Sequence, residues 1–306
     1  MQDSLFTIEL PLVKTVEELR RVKIKYPKPK YDPYFIVSAC IKAKKEKLEK
    51  LWKSFKPYAD KKFKTKIIKN FHQRLWEMYI GNVLLIKKFN INHDEGRPDF
   101  IVNDNIYIEC TAPTKGDPTK SDSVPEMLVA KNIEEIKEQD VPVDQMILRI
   151  TQVINEKALE QYDKWKRKKW FNRKSSFIIA VNTSDLEFLE DPNMPNVVKA
   201  LFGFKFIQID LQTRKTSYSR RNNIRKINNA PVSVNYFVND DYCFISGVLF
   251  SSERVLKSFD NMGDDCIFVN NPFSEYPVDK KFVKIFKHWN AKYDKSRNNL
   301  TLQKNY

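Results

Sequence analysis

Cysteine and histidine are both scarce in this chain. The four cysteines, Cys40, Cys110, Cys243 and Cys266, are far apart and form no Cys-x-x-Cys pair. That spacing argues against a structural zinc site and against a disulfide framework. Three histidines, His72, His93 and His288, leave little for a histidine-based metal centre, and His72 reads as a helix-surface residue. No apolar run is long enough to span a bilayer, and the N-terminus MQDSLFTIELPLV lacks a basic region ahead of a long apolar run. A cytoplasmic or otherwise soluble protein without a recognisable export signal is therefore expected. Acidic residues are outnumbered: 39 Asp and Glu stand against 54 Lys and Arg, a formal net charge of +15. Such a balance attracts polyanions, nucleic acid first and an anionic membrane surface second. The 13 Tyr, 5 Trp and 21 Phe could stack on unpaired bases, although most aromatics of a globular protein form its core.

What is present is organised around the stretch from Phe71 to Pro113. It reads as an amphipathic helix carrying Glu77, a glycine stop at Gly81, and two short strands, Arg97 to Val102 and Asn105 to Thr111, joined by a turn at Asn103-Asp104. Strand side chains alternate faces, so a hairpin here lets Asp99 and Glu109 converge at one end, as a hard cation would require. An isolated carboxylate in a buried strand is costly to desolvate. Two readings answer that cost. Either Asp99 pairs with Arg97 and Glu109 lies on an exposed edge, or the two share a ligand. Glu77 likewise either forms a surface pair with Arg74 at i,i+3 spacing or belongs to the same site.

Pro98-Asp99, the spacing to Glu109, the upstream helical Glu77 and the following helix together resemble the PD-(D/E)XK nuclease superfamily. The resemblance covers about residues 66–182, and the runs RPDF, YIECT and FIIAVN look like a group of uncharacterised bacterial members. It implies an α/β, restriction-endonuclease-like core, a mixed central sheet flanked by helices. The expected layout is an N-terminal strap and helix over 1–63, a nuclease-like core over 64–190, and a C-terminal α+β extension over 191–306. By the same resemblance, Asp99, Glu109 and the backbone carbonyl of Cys110 hold Mg²⁺ or Mn²⁺, and Glu77 holds it through water or supports a second ion.

One departure stands out. The family's usual lysine, two positions after the acidic residue of the second strand, is Thr111 here. Such a cation helps activate water and stabilise charge at the phosphate, so its role is either lost or taken by another residue. Lys115 follows in a loop loosened by Gly116. Lys157 falls within the apolar stripe Met146, Ile150, Val153, Ile154, Ala158, Tyr162 and Trp165 of a helix expected from an Asp144 N-cap to Lys168. It either reaches the site or snorkels to water.

Elsewhere, a strand at Leu5 to Leu10 precedes a polyproline-like strap, KIKYPKPKYDPY. Helices are expected over Tyr34 to Phe55 and Lys64 to Ile80, and a short one near Val129 to Glu138. The run KWKRKKWFNRK places Lys166, Arg167, Lys168 and Lys169 among aromatics, which suits nucleic-acid contact. Ser176 to Asn182 reads as a buried strand. Further strands are expected at Phe204 to Leu211, Val232 to Phe237, Cys243 to Phe250 and Cys266 to Val269, a helix near Val278 to Trp289, and a frayed tail. RKTSYSRRNNIRK, with Arg214, Lys215, Arg220, Arg221 and Arg225, reads as a phosphate-contacting loop.

The function expected is metal-dependent phosphodiester hydrolysis with DNA, ahead of RNA, as substrate. The alternatives are a nuclease-fold protein that binds nucleic acid without cutting it, and a non-enzymatic interaction or effector protein.

Overall fold

The computed structural model describes residues 4–129, 138–209, 211–214, 216–257, 261–294 and 299–305. It is a mixed α/β fold whose chain divides into two compact units, one of residues 1–112 and 253–265, the other of residues 113–252 and 266–306. The division falls inside the stretch 64–190 that the sequence suggests as one core.

Among the described residues the first unit holds the α-helices α1 (Val16–Lys25), α2 (Pro33–Cys40), α3 (Lys42–Phe55), α4 (Phe63–Ile67) and α5 (Phe71–Ile86), and the antiparallel strands β1 (Ile91–Asn92), β2 (Phe100–Val102) and β3 (Ile106–Thr111). Leu5 to Leu10 forms no strand; Leu5, Phe6 and Leu10 are simply buried. The basic segment read as a strap begins inside α1, which Thr15 and Glu18 start with a capping box. The helix expected over Tyr34 to Phe55 is two helices, broken where Ile41 adopts an extended backbone. The one expected over Lys64 to Ile80 is also two, α4 and α5, separated at 68–70. A single carboxylate organises these starts: Asp32 accepts from the Tyr34 amide at 2.8 Å and from the Phe71 amide at 3.2 Å. It thereby satisfies orphan donors at the N-termini of both α2 and α5.

Gly81 does not stop its helix. α5 runs through it to Ile86, and a Cβ at 81 would lie 2.6 Å from the Phe55 ring and 3.1 Å from Phe100 Cζ. The glycine is there for close packing, and Phe55 and Phe100 meet edge to face beside it at 6.1 Å. Every residue of α5 from Leu75 to Leu84 is buried, so it is a core helix on all sides rather than an amphipathic one.

The hairpin forms about the expected turn, but its first strand begins at Phe100 rather than Arg97, and Asp99 lies just ahead of it. β2 and β3 pair antiparallel with Phe100 opposite Ile108, and β1 pairs with β2. Asn103 and Asp104 both take positive φ, 47° and 63°, which is the two-residue turn geometry that Asn and Asp tolerate.

The second unit is built on a five-stranded mixed sheet in the order β4 (Ser176–Asn182), β9 (Gly247–Ser251), β10 (Ile267–Asn270), β11 (Lys287–Asp294) and β12 (Asn299–Asn305). Its neighbours alternate parallel, antiparallel, parallel and antiparallel. Beside it are α6 (Val143–Asn155), a π-helical stretch Glu156–Gln161, α7 (Tyr162–Trp165), α8 (Asn196–Phe202) and the short α9 (Lys280–Val283). Two hairpins complete it, β5 (Phe204–Ile209) with β6 (Thr216–Arg220), and β7 (Asn223–Arg225) with β8 (Pro231–Ser233).

Several expectations need correction here. The helix from 144 begins after Pro142, so Asp144 sits in its first turn rather than capping it, and it ends at Trp165. Of the strand expected over Val232 to Phe237 only Val232 and Ser233 are strand, the end of β8, and the strand in Cys243 to Phe250 begins only at Gly247. The run 278–289 is a single helical turn followed by β11. Buried Phe282, Phe286 and Trp289 imitate helical spacing there, while Phe282 is in α9, Trp289 in β11 and Phe286 between them. The tail is strand β12 paired along β11, not frayed chain. The short helix expected near Val129 to Glu138 lies largely outside the described residues. Among the described residues, no helix is long and apolar enough to cross a membrane.

Candidate active site

Continuing the β2–β3 register by one residue sets Asp99 opposite Glu109, and opposed residues of an antiparallel pair share a face. Two hydrogen bonds lock the pair. The Asp99 amide donates to Glu109 Oε2 at 3.2 Å, and the Cys110 amide donates to Asp99 Oδ2 at 2.8 Å. Glu109 is 5% exposed, so the exposed-edge reading of it fails. Arg97, the bland partner for Asp99, pairs with Asp94 at 2.8 Å. His93 supports the strand entry, since a carbonyl only accepts: its Nδ1–H donates to the Asp99 carbonyl at 3.0 Å, and its Nε2 is buried with no hydrogen-bond partner among the described residues.

Glu77 is not at the edge of a stripe but 1% exposed in the middle of α5. Its Oε2 accepts from Arg74 Nη1, while its Oε1 is buried without a hydrogen-bond partner among the described residues. Burial pushes the Glu77 carboxyl well above the usual carboxylate range. Asp99 adds to that rise, Arg74 opposes it, and Asp60 and Glu109 add smaller shares. Arg74 extends to Asp60 Oδ2 at 3.4 Å, and Asp60 is also held by Lys66 Nζ at 2.9 Å and the Lys62 amide at 2.7 Å. Burial raises the Asp60 carboxyl, but those hydrogen bonds and the charges of Lys66 and Arg74 bring it below its ordinary value. Arg74 itself is disfavoured by burial and more than compensated by Glu77, Asp99, Asp60 and Glu109, so it stays cationic.

The three carboxylates on consecutive elements are therefore within electrostatic reach of one another, together with Asp60 and Arg74, which the sequence reading did not place in the site. Among the described residues no group of three or more His, Cys, Asp or Glu side chains is arranged to hold a metal ion. The donor set nonetheless fits a hard cation in kind. Asp99, Glu109 and the Cys110 carbonyl offer oxygen only, and magnesium commonly takes one or two protein carboxylates and keeps water for the rest.

The replacement lysines stand differently. Thr111 is buried, two residues along β3 from Glu109 and so on the same face. Lys115 lies in the second unit and is no mobile cation, for its ammonium is engaged by Glu126 at 2.6 Å and by Glu187. Lys157 is half-buried on the π-helical stretch of the same unit.

Of the basic residues, Lys166, Arg167, Lys168 and Lys169 are exposed, with Lys166 paired to Asp163 at 2.6 Å. Their neighbouring aromatics are not open stacking platforms: Trp170 packs on Trp165 at 6.4 Å and Phe171 on Tyr162 at 5.3 Å. The basic run 214–226 is not a loop but largely β6 and β7. Arg214 is exposed at the entry to β6 with φ of 55°, and Arg220 ends that strand. Arg221 donates to Asp144 Oδ2 at 2.9 Å, and Arg225 donates to the Asn229 carbonyl at 3.2 Å. Lys215 lies outside the described residues.

No model of a known protein family matches the chain, and no curated protein or solved structure does either.

Proposed function

We propose that the protein is a divalent-metal-dependent phosphodiesterase acting on nucleic acid, DNA ahead of RNA, with a restriction-endonuclease-like arrangement of its site. The observation that carries this reading is the Asp99–Glu109 pair. Two like charges directly opposite on a hairpin repel, yet here each accepts from the other's strand backbone beside a third, deeply buried glutamate. A cluster that concentrates negative charge inside a strongly basic protein supports a role that charge balance alone does not demand.

In this reading Asp99, Glu109 and the Cys110 carbonyl hold Mg²⁺ or Mn²⁺, with Glu77 beside them. The ion supplies a lowered pKa for water and screens the phosphate charge. The chain's own contribution is orientation. The two backbone hydrogen bonds hold the strand carboxylates, Arg74 holds Glu77, and the exposed cations at 166–169, with Arg214, Arg220 and Arg225, attract the phosphate backbone. The test is cleavage of labelled single- and double-stranded DNA and RNA in Mg²⁺ and Mn²⁺, with Asp99→Asn alongside. Cutting that survives the substitution would place the chemistry elsewhere.

The second reading, nucleic-acid binding without cleavage, is favoured by two specific facts: Thr111 stands where the family's lysine would be, and Lys115 is already engaged by two glutamates. Salt-sensitive binding in the absence of any metal-dependent cutting is its signature.

A further inference from the structure

Arg74 is the cation this carboxylate cluster already has. Its guanidinium serves Glu77 and Asp60 directly, and its charge also acts on Asp99 and Glu109. Its side chain is only 14% exposed, so water screens these interactions little. A structural Arg–Glu lock would be a two-pronged fork that uses both oxygens and two N–H groups. This one is half made. Glu77 Oε1 and Arg74 Nε are both buried without a hydrogen-bond partner among the described residues. Unpaired buried polar atoms on both partners are costly, and they leave Glu77 with an oxygen to give to something else.

We propose that Arg74 is the resident counter-cation of this site and a positioning residue for Glu77, so that a divalent ion binds in competition with its charge. The inference rests on the reading that Asp99 and Glu109 bind a divalent ion. The guanidinium and the ion stabilise the same carboxylates. Arg74 therefore makes the metal-free site tolerable and raises the ion concentration needed to fill it. Arg74 is not the missing lysine in another place; it sets how strongly the site holds its ion, and through Glu77 where the third carboxylate lies.

The test is Mn²⁺ binding by the full chain, read by electron paramagnetic resonance of free Mn²⁺ at fixed pH and ionic strength, with folding checked by circular dichroism. Arg74→Met should bind Mn²⁺ about tenfold tighter than wild type or better, because a positive charge has left a partly desolvated site. Arg74→Lys keeps the charge and should stay near wild type. Glu77→Gln should bind more weakly, since it removes a carboxylate while leaving the guanidinium. Equal or weaker binding by folded Arg74→Met overturns the proposal. If Arg74→Met does not fold, unchanged binding in Glu77→Gln overturns it instead. Asp99→Asn separates the two ideas. If Asp99→Asn loses the ion and Arg74→Met does not gain affinity, only this proposal falls. If Asp99→Asn binds Mn²⁺ as wild type does, the site reading falls and takes the proposal with it.

Discussion

Asp99 and Glu109 face each other across the β2–β3 ladder, joined by the hydrogen bond from the Asp99 amide to Glu109 Oε2 at 3.2 Å. Each carboxylate accepts a backbone amide from the opposing strand segment. A substitution that keeps shape and removes charge therefore isolates the chemistry. Asp99→Asn and Glu109→Gln are expected to lower metal-dependent cleavage about 100-fold or more, at least what removing a group that supports a metal ligand costs. Nucleic-acid affinity without metal should stay within a few-fold in a filter-binding or anisotropy titration.

Thr111 shares the face of β3 with Glu109, so a lysine there would reach the carboxylates. Thr111→Lys is expected to raise turnover about tenfold or more, at the modest end of what a positioned proton-transfer or charge-stabilising group contributes. Single-turnover rates in Mg²⁺ check it. No gain in the folded variant would mean that the departure at 111 is not what limits the site.

The exposed cations give a prediction that does not depend on catalysis. Neutralising Lys168 and Lys169 together should weaken binding to all duplex sequences alike. The slope of log affinity against log salt should become shallower by about 0.9 for each phosphate that is no longer neutralised. Arg221→Ala additionally breaks a partly exposed pair with Asp144. Its stability cost should stay at or below about 1 kcal/mol in a urea melt.

Glu190 makes stability depend on pH. Its carboxylate accepts from the Asn196 amide at 2.9 Å, at the start of α8, and from the Thr183 hydroxyl at 2.8 Å. Burial nevertheless raises its pKa, with those bonds and Lys199 opposing. The folded state thus binds its proton more tightly than the unfolded chain does. The contribution of this group is fullest below the unfolded value, about 4.3, and declines as pH rises through the raised folded value. Comparing thermal midpoints of wild type and Glu190→Gln from pH 4 upward checks the sign: the wild type should lose stability with rising pH relative to the variant.

The hairpin and β4 were readable from the chain because their signals are local. A turn-prone Asn103-Asp104 between β-formers, and an uninterrupted apolar run at Ser176 to Asn182, need no knowledge of the rest of the fold. The burial of Glu77 was not readable. Helical phase placed it at the margin of a stripe, but α5 is packed on every side, including the side that carries Trp76 and Glu77. Nor did local spacing reveal Asp60 as part of the site, since it joins through Arg74 from 14 residues away. The breaks near Ile41 and Ile68 escaped for a similar reason. The carboxylate that starts α5 is Asp32, 39 residues upstream of Phe71. In the second unit, polar strands such as β6 and β7 carry too little alternation to announce themselves.

Gly81 ties the interior to the chemistry. It follows Glu77 by one helical turn and presses on Phe100, the residue next to Asp99, and on Phe55. The gap between the helix that bears one carboxylate and the strand that bears another is thus gauged by a hydrogen atom where other residues have a side chain. Drift at position 81 toward anything larger would have to be answered by smaller rings at 55 or 100. Otherwise the helix backs away and carries Glu77 with it. The three core positions are thus coupled by one contact, and the place of Glu77 depends on it, although none of the three carries a charge.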